Sequence, residues 1–405
     1  MAFISISHTC ATIYNVNNRY LVQINTTGMH TPINEIRSFL DHDDHSLAVR
    51  RMLDACLDTR DAVLIEEAIA WSKAYHAGGK EHLPANFHAQ AEQLLSKLAR
   101  ASTGTDHVPQ PLISAANITK SYVKGNFSLS PISLQLNTGD IVGVVGENGN
   151  GKTTLLRCLA GQLAIDGGEM QYHLLRQPDY YEIKHHVAFI PQRIPKWYGL
   201  LKDNLHFAAS MAGVTGDENH RMVAFMLERL DLASYAHLTW SQISSGYRTR
   251  FEIARILLQK PRLLILDEPL ANLDINAQQT ILTDLRYIAK SAHNPMGIIL
   301  SSQQLHEVEK IADSVLFIKN GACVYQTGAE QEATITYIME LETTADRTAV
   351  LAALGENEVT LHFNGGFYTI RSADMPVQEM IRKLVTANIP VTYLREITHS
   401  TKRFF

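Results

Sequence analysis

Long apolar runs are missing from this chain of 405 residues. None approaches the ~18 residues needed to cross a bilayer, so no transmembrane helix is expected. The first residues, Met1 to His8, carry no basic stretch, which argues against a secretory signal peptide. Cysteine is sparse. Cys10, Cys56, Cys158 and Cys323 are scattered without metal-ligand spacing, and free thiols in a reducing cytosol are the reading. An excess of positive charge is also missing: the formal net charge is -5, which gives no support for a large nucleic-acid footprint. No internal repeat is visible. What is present, 45% hydrophobic and 19% charged residues, is the composition of a globular protein long enough for two or three domains.

The most informative stretch is Gly146-Glu147-Asn148-Gly149-Asn150-Gly151-Lys152-Thr153-Thr154. Asp140–Val145 before it reads as a buried strand, and Leu155–Ala160 after it as a helix ended by Gly161. Strand, Gly-rich loop and helix are the context a phosphate-binding loop needs. Glycines let backbone N–H groups wrap a phosphate, and the helix start adds a favourable field for an anion. Lys152 can reach β- and γ-phosphates, and the Thr153 hydroxyl can hold Mg²⁺. A second signal is Arg262 to Pro269. Four apolar residues form a strand buried on both faces, and Asp267 and Glu268 stand at its C-terminal end, where ligands bind in open α/β sheets. Asp267 suits a Mg²⁺ ligand and Glu268 a base for an attacking water.

Upstream, Ile4–Ile13 and Tyr20–Ile24 are short apolar stretches, and helical patterns follow at Ser46–Leu57, Ala62–Tyr75 and Phe87–Leu98. Ala101 to Pro111 is small, polar and Pro-bearing, which marks a linker. Downstream, a strand at Ile335–Leu341, a helix at Ala345–Leu354, a hairpin of Val359–Asn364 and Phe367–Arg371 around Gly365-Gly366, a helix at Val377–Ala387 and a strand at Val391–Glu396 follow. The order β-α-β-β-α-β is that of a ferredoxin-like split βαβ unit.

Together the phosphate-loop and acidic-strand motifs resemble the ATP-binding cassette (ABC) ATPases over about residues 113–330, and further family motifs match. Ile243-Ser244-Ser245-Gly246-Tyr247 matches the signature segment, with Ser245 where the family has Gly and Tyr247 where it often has Gln. Gln192, after Phe189-Ile190-Pro191, matches the Q-loop. Tyr122 matches the aromatic that stacks on adenine, and Asp274, in Leu270-Ala271-Asn272-Leu273-Asp274, the D-loop. One departure matters: the family's switch His is Gln303 here, and an amide can donate to a phosphate oxygen but cannot carry a proton. The nearby His306 is not promoted to that role.

The resemblance implies a P-loop NTPase cassette with a helical subdomain at 111–330, between a mostly helical N-terminal domain and linker at 1–110 and a ferredoxin-like α+β domain at 331–405. It implies ATP and Mg²⁺ as cofactors. Glu268, Gln192 and Gln303 are the expected catalytic residues. Thr153, Gln192 and Asp267 are the expected metal ligands. Nucleotide contacts are expected from Tyr122, Gly146, Asn148, Gly149, Gly151, Lys152, Thr153, Thr154, Ser244, Ser245, Gly246 and Asp274. The implied function is that of an ABC exporter's ATPase subunit. It would act as a homodimer through its ATP sites, peripheral at the inner face of the cell membrane, on a separately encoded permease, with no nucleic acid. The tail, closing on Arg403-Phe404-Phe405, resembles that of exporter ATPases with a separate membrane chain. The rival is a soluble ABC protein acting as a slow-hydrolysing, nucleotide-gated binding or assembly factor. The run Asp41-His42-Asp43-Asp44-His45 reads as a helix cap rather than a metal site, and His185-His186 as part of a loop. Trp197-Tyr198-Gly199-Leu200-Leu201 reads either as a partner-contact patch or as core.

Overall fold

The computed structural model describes residues 32–78, 83–101, 108–122, 127–175, 179–271, 273–292, 294–326, 337–355 and 358–398. The stretches Ile4–Ile13 and Tyr20–Ile24, Asn272 and the closing Arg403-Phe404-Phe405 lie outside them. The described residues divide into two compact units, 32–326 and 337–398.

The first unit opens with helices α1 (Pro32–Asp41), α2 (His45–Asp58), α3 (Ala62–Ala77) and α4 (Phe87–Arg100). The last three extend the sequence-read patterns by a residue or two, and α1 adds a helix the sequence reading lacked. Asp44 caps α2 by accepting from the Leu47 N–H, and Asp61 caps α3 by accepting from Val63 and Leu64. The acidic run at 41–45 is thus occupied in part by helix capping.

Then come β1 (Pro111–Ser121), β2 (Ser128–Asn137), β3 (Ile141–Val145), α5 (Lys152–Leu159), β4 (Gly167–Tyr172), α6 (Tyr180–His186), β5 (Val187–Ile190), α7 (Leu201–Met211), α8 (Gly216–Arg229), α9 (Ser245–Leu257), β6 (Leu263–Leu266), α10 (Ile275–Ala289), β7 (Gly297–Ser302), α11 (Leu305–Val308), β8 (Ser314–Lys319) and β9 (Ala322–Gln326). Contrary to the loop expected there, His185 and His186 end helix α6. One sheet runs β5-β6-β7-β3-β8-β9, parallel except for β9. A smaller antiparallel sheet runs β2-β1-β4.

Strand periodicity divides the core. Val142 and Val144 face one way, with Ile265, Ile299 and Leu316, onto α5 and the small sheet. Ile141 and Val145 face the other way, with Leu264, Ile298 and Phe317, onto the helices. The central strands are therefore buried on both faces, which is why they read as unbroken apolar runs.

The helices α1–α4 share that second core with α7–α10. Ion pairs reinforce the contact. Arg229 of α8 makes a bidentate pair with Asp54 of α2, at 2.9 and 3.0 Å, and also pairs with Asp284 of α10. Arg50 of α2 pairs with the same Asp284 at 3.1 Å. Two arginines and two aspartates balance in charge, as burial demands. Ser72 and His76 of α3 each lie 2.9 Å from Glu228, and Asp58 accepts from Ser291 and Ala292. The helices α1–α4, expected as a domain of their own, instead form one unit with the cassette: shared apolar burial and shared buried charges tie them to α8 and α10, while most of the expected linker, residues 102–107, lies outside the described residues.

The second unit contains β10 (Tyr337–Glu342), α12 (Arg347–Leu354), β11 (Thr360–Asn364), β12 (Phe367–Ser372), α13 (Val377–Thr386) and β13 (Tyr393–Glu396). Its antiparallel sheet runs β11-β12-β10-β13, the strand order of a ferredoxin-like unit. The hairpin turn uses Gly365 and Gly366 at φ 58° and 111°, values that favour glycine. Met339, Leu341, Ile370, Met380 and Leu384 fill the core between sheet and helices.

Candidate nucleotide site

The site lies at the C-terminal ends of β3, β6 and β7, adjacent strands in the large sheet. The loop from Gly146 to Gly151 leaves β3 and enters α5. Gly149 and Gly151 adopt φ of 80° and 99°, left-handed conformations that a side chain would strain. A Cβ on Gly146 would fall 2.3 Å from the Ile318 carbonyl oxygen, so the loop can pass β8 only with glycine there. Buried Asn150 anchors the loop, accepting through its side chain from the Asn320 N–H at 2.8 Å. Asn148, Gly149 and Thr153 remain exposed.

Lys152 folds over this loop. Its ammonium donates to the carbonyls of Gly146 and Glu147 at 2.7 and 3.1 Å and stands 3.1 Å from Glu268 Oε1. The Thr153 hydroxyl donates to Asp267 Oδ2 at 2.7 Å. Glu268 Oε2 accepts from Gln192 Nε2 at 2.8 Å and from Gln303 Nε2 at 2.9 Å. Six residues anticipated from four separate segments thus meet, four of them around the carboxylates of Asp267 and Glu268. Glu268 itself has φ 49°, a strained backbone for a non-glycine residue.

Ser301 was missed. Its hydroxyl donates to Asp267 Oδ1 and accepts from the Glu268 N–H. The available signal was a pair of hydroxyl residues, Ser301 and Ser302, closing an apolar strand just before Gln303.

Tyr122 follows the end of β1, 42% exposed, with its hydroxyl 3.4 Å from Thr154 Oγ1. The strand end is tied down by Asp166, which accepts from Lys120 Nζ and from the Ser121 N–H and hydroxyl. These bonds, the Lys120 one foremost, lower the Asp166 carboxyl to about 2. Behind the loop, burial pushes the Cys158 thiol up to about 11.

The signature residues form a separate feature. Ser244 precedes α9, exposed, and its side chain makes no capping hydrogen bond. Ser245 is exposed, and Gly246 has Leu273 and Ala277 as neighbours. None of the contacts around Asp267 and Glu268 described above involves Ser244 or Gly246. Tyr247, which departs from the usual Gln, packs on Tyr235 with ring centres 3.9 Å apart. Asp274 caps α10 by accepting from the Ala277 N–H, a structural duty the nucleotide reading had not included.

A model of the ABC transporter family matches residues 129–271. The uncharacterised ABC transporter ATP-binding protein YxlF of Bacillus subtilis is 31% identical, over 52% of this chain and 68% of that protein. The chain belongs to the ABC transporter ATP-binding proteins. The hemin import ATP-binding protein HmuV of Shewanella denitrificans is 31% identical, over 51% of this chain and 84% of that protein. The phosphonates import ATP-binding protein PhnC of Treponema denticola is 28% identical, over 53% and 88%. This ABC protein is an ATP-binding ATPase with a P-loop cassette fold.

The stretch after Gln192 in the ABC cassette divides in two. Trp197 is core: it stacks on Trp240 at 4.9 Å and donates to Glu252. Tyr198 is 83% exposed, and Phe207 and Met211 are 67% and 70% exposed. They line a groove of about 780 Å³ with Tyr181, Lys184 and Lys196. Among the described residues, no helix is long and apolar enough to cross a membrane.

Proposed function

We propose that this ABC ATPase hydrolyses ATP in a homodimer and thereby drives a separately encoded membrane permease, working at the inner face of the membrane. One observation carries the reading of the site: Lys152, Gln192 and Gln303 all donate to Glu268, while Thr153 and Asp267 bond beside them. The loop glycines and the start of α5 provide backbone N–H groups for phosphate oxygens, and Lys152 provides the charge.

The oxygen atoms of Thr153, Asp267 and Gln192 form a hard donor set, which fits Mg²⁺. They would hold the ion, whose charge offsets that of the phosphate oxygens. Glu268 takes a proton from water. The water oxygen forms a bond to the γ-phosphorus as the bond to the bridging oxygen breaks, giving ADP and phosphate. Gln192 and Gln303 hold the carboxylate in line as amide donors. Tyr122 is the stacking surface for adenine, with Thr154 beside it.

In the homodimer reading, Ser244, Ser245 and Gly246 of one copy face the phosphates bound by the other. The exposure of Ser244 and Ser245 at the start of the thirteen-residue α9 supports this, since helix-start N–H groups attract anions. The groove with its exposed Tyr198, Phe207 and Met211 supports a protein partner, because exposed aromatics and Met beside charged residues are typical of contact surfaces. The ferredoxin-like tail supports export. The relatives with named cargo, HmuV and PhnC among them, are import proteins, and their names do not support that direction.

The test is co-purification from membranes with a polytopic protein. Phe207→Glu combined with Met211→Glu should abolish it and leave basal ATP turnover unchanged. Retention of the partner by that double variant would remove the groove from the assignment.

A further inference from the structure

Ser301 lies on β7 with none of its surface exposed. Its hydroxyl is used in both directions, donating to Asp267 Oδ1 at 2.8 Å and accepting the Glu268 N–H at 2.9 Å. The first bond fixes which Asp267 oxygen remains for Thr153, which donates to Oδ2. The second pins the peptide of a residue at φ 49°. A non-glycine residue keeps that conformation only where its surroundings over-determine it. That backbone turn sends the Glu268 carboxylate toward Lys152 on one oxygen and toward Gln192 and Gln303 on the other. One hydroxyl on a rigid central strand thus bonds to both acids of the site.

We propose that Ser301 is a positioning residue for ATP hydrolysis, setting the backbone of Glu268 through a hydroxyl whose own orientation is held by its bond to Asp267. The proposal rests on Glu268 as the base. Ser301 itself touches neither nucleotide nor attacking water; it acts through Glu268. Loss of its hydroxyl leaves a buried carboxylate oxygen and a buried N–H short of one partner each, and lets the strained peptide relax. A displacement of ~1 Å at a reacting group costs on the order of a hundredfold in rate, whereas ATP binding through Lys152 and the loop N–H groups does not pass through Ser301.

The experiment uses the full chain and the variants Ser301→Ala, Ser301→Thr, Glu268→Gln and Glu268→Gln with Ser301→Ala. Steady-state ATP turnover, ATP affinity by calorimetry and Tm are read for each. Ser301→Ala should lose about ten- to hundredfold in turnover with ATP affinity held within about threefold. Ser301→Thr, which restores the hydroxyl, should recover most of the rate. On the Glu268→Gln background, Ser301→Ala should cost little more, because residues acting as a unit are not additive. If the threonine variant fails to fold, this last comparison decides alone. Full turnover in Ser301→Ala, or an equal fold-loss on both backgrounds, overturns the proposal. Full turnover in Glu268→Gln itself overturns the base assignment and Ser301 with it, and so separates the two failures.

Discussion

Lys152 Nζ stands 3.1 Å from Glu268 Oε1, and the two side chains are only 5% and 8% exposed. The principal cation for phosphate and the proposed base therefore share one sheltered ion pair. Nucleotide phosphates compete with Glu268 for the ammonium. Lys152→Ala should abolish tight ATP binding, because it removes the ammonium that lies over the loop. Calorimetry with unchanged ATP affinity would refute the site.

Glu268→Gln keeps the shape of the side chain and removes its basicity. ATP binding should persist and turnover should fall on the order of 10²–10⁴-fold. The amide also no longer pairs with Lys152, so ATP affinity is expected to hold or rise. A rate near that of the native protein would exclude Glu268 as the base.

Gln303→His tests the departure from the family pattern. Gln303 Nε2 donates to Glu268 Oε2, a bond that a ring N–H can also make. A histidine adds a titratable charge, protonated as pH falls through about 6.5. The variant should gain turnover, on the order of threefold, most fully below that pH, with the gain fading above it. PH–rate profiles of both proteins decide. If histidine lowers the rate throughout, the glutamine is a tuned component of this site.

Asp54→Ala should destabilise the first unit by about 3–5 kcal/mol, because it leaves Arg229 buried with half its partners. Burial itself raises the Asp54 carboxyl's pKa, and the Arg229 charge opposes it. Deletion of residues 1–105 should be worse, removing both Asp54 and Arg50 and uncovering the apolar faces of α8 and α10. Soluble, cooperatively melting protein after that deletion would show that the shared core is dispensable.

The phosphate loop, the acidic strand end and the tail's element order were legible because each is local: glycine spacing, an apolar run closed by acids, and alternation with turn residues. Lys152 and Glu268 could be named from the sequence, but not their ion pair, which joins the start of α5 to the acids that follow β6, segments far apart in the chain. Ser301 escaped for the same reason, since a serine in a buried strand acquires meaning only from what lies opposite. Asp54, Arg229 and Asp284 are ordinary charged helix residues by periodicity. Only the packing of three helices makes them one network, and so the shared core of α1–α4 was read as a separate domain. Asp274, read from a motif, turned out also to be a helix cap.

The Arg229–Asp54 and Arg50–Asp284 pairs span 175 and 234 residues of chain. At a synthesis rate of about 5–20 residues per second, α2 leaves the ribosome roughly ten to fifty seconds before its partners exist. For that interval the nascent chain holds helices that can pack on one another, as Trp71 does on Phe87, but whose surfaces toward α8 and α10 stay uncovered. The order of translation thus leaves α2 without its buried ionic partners until α8 and α10 have been made.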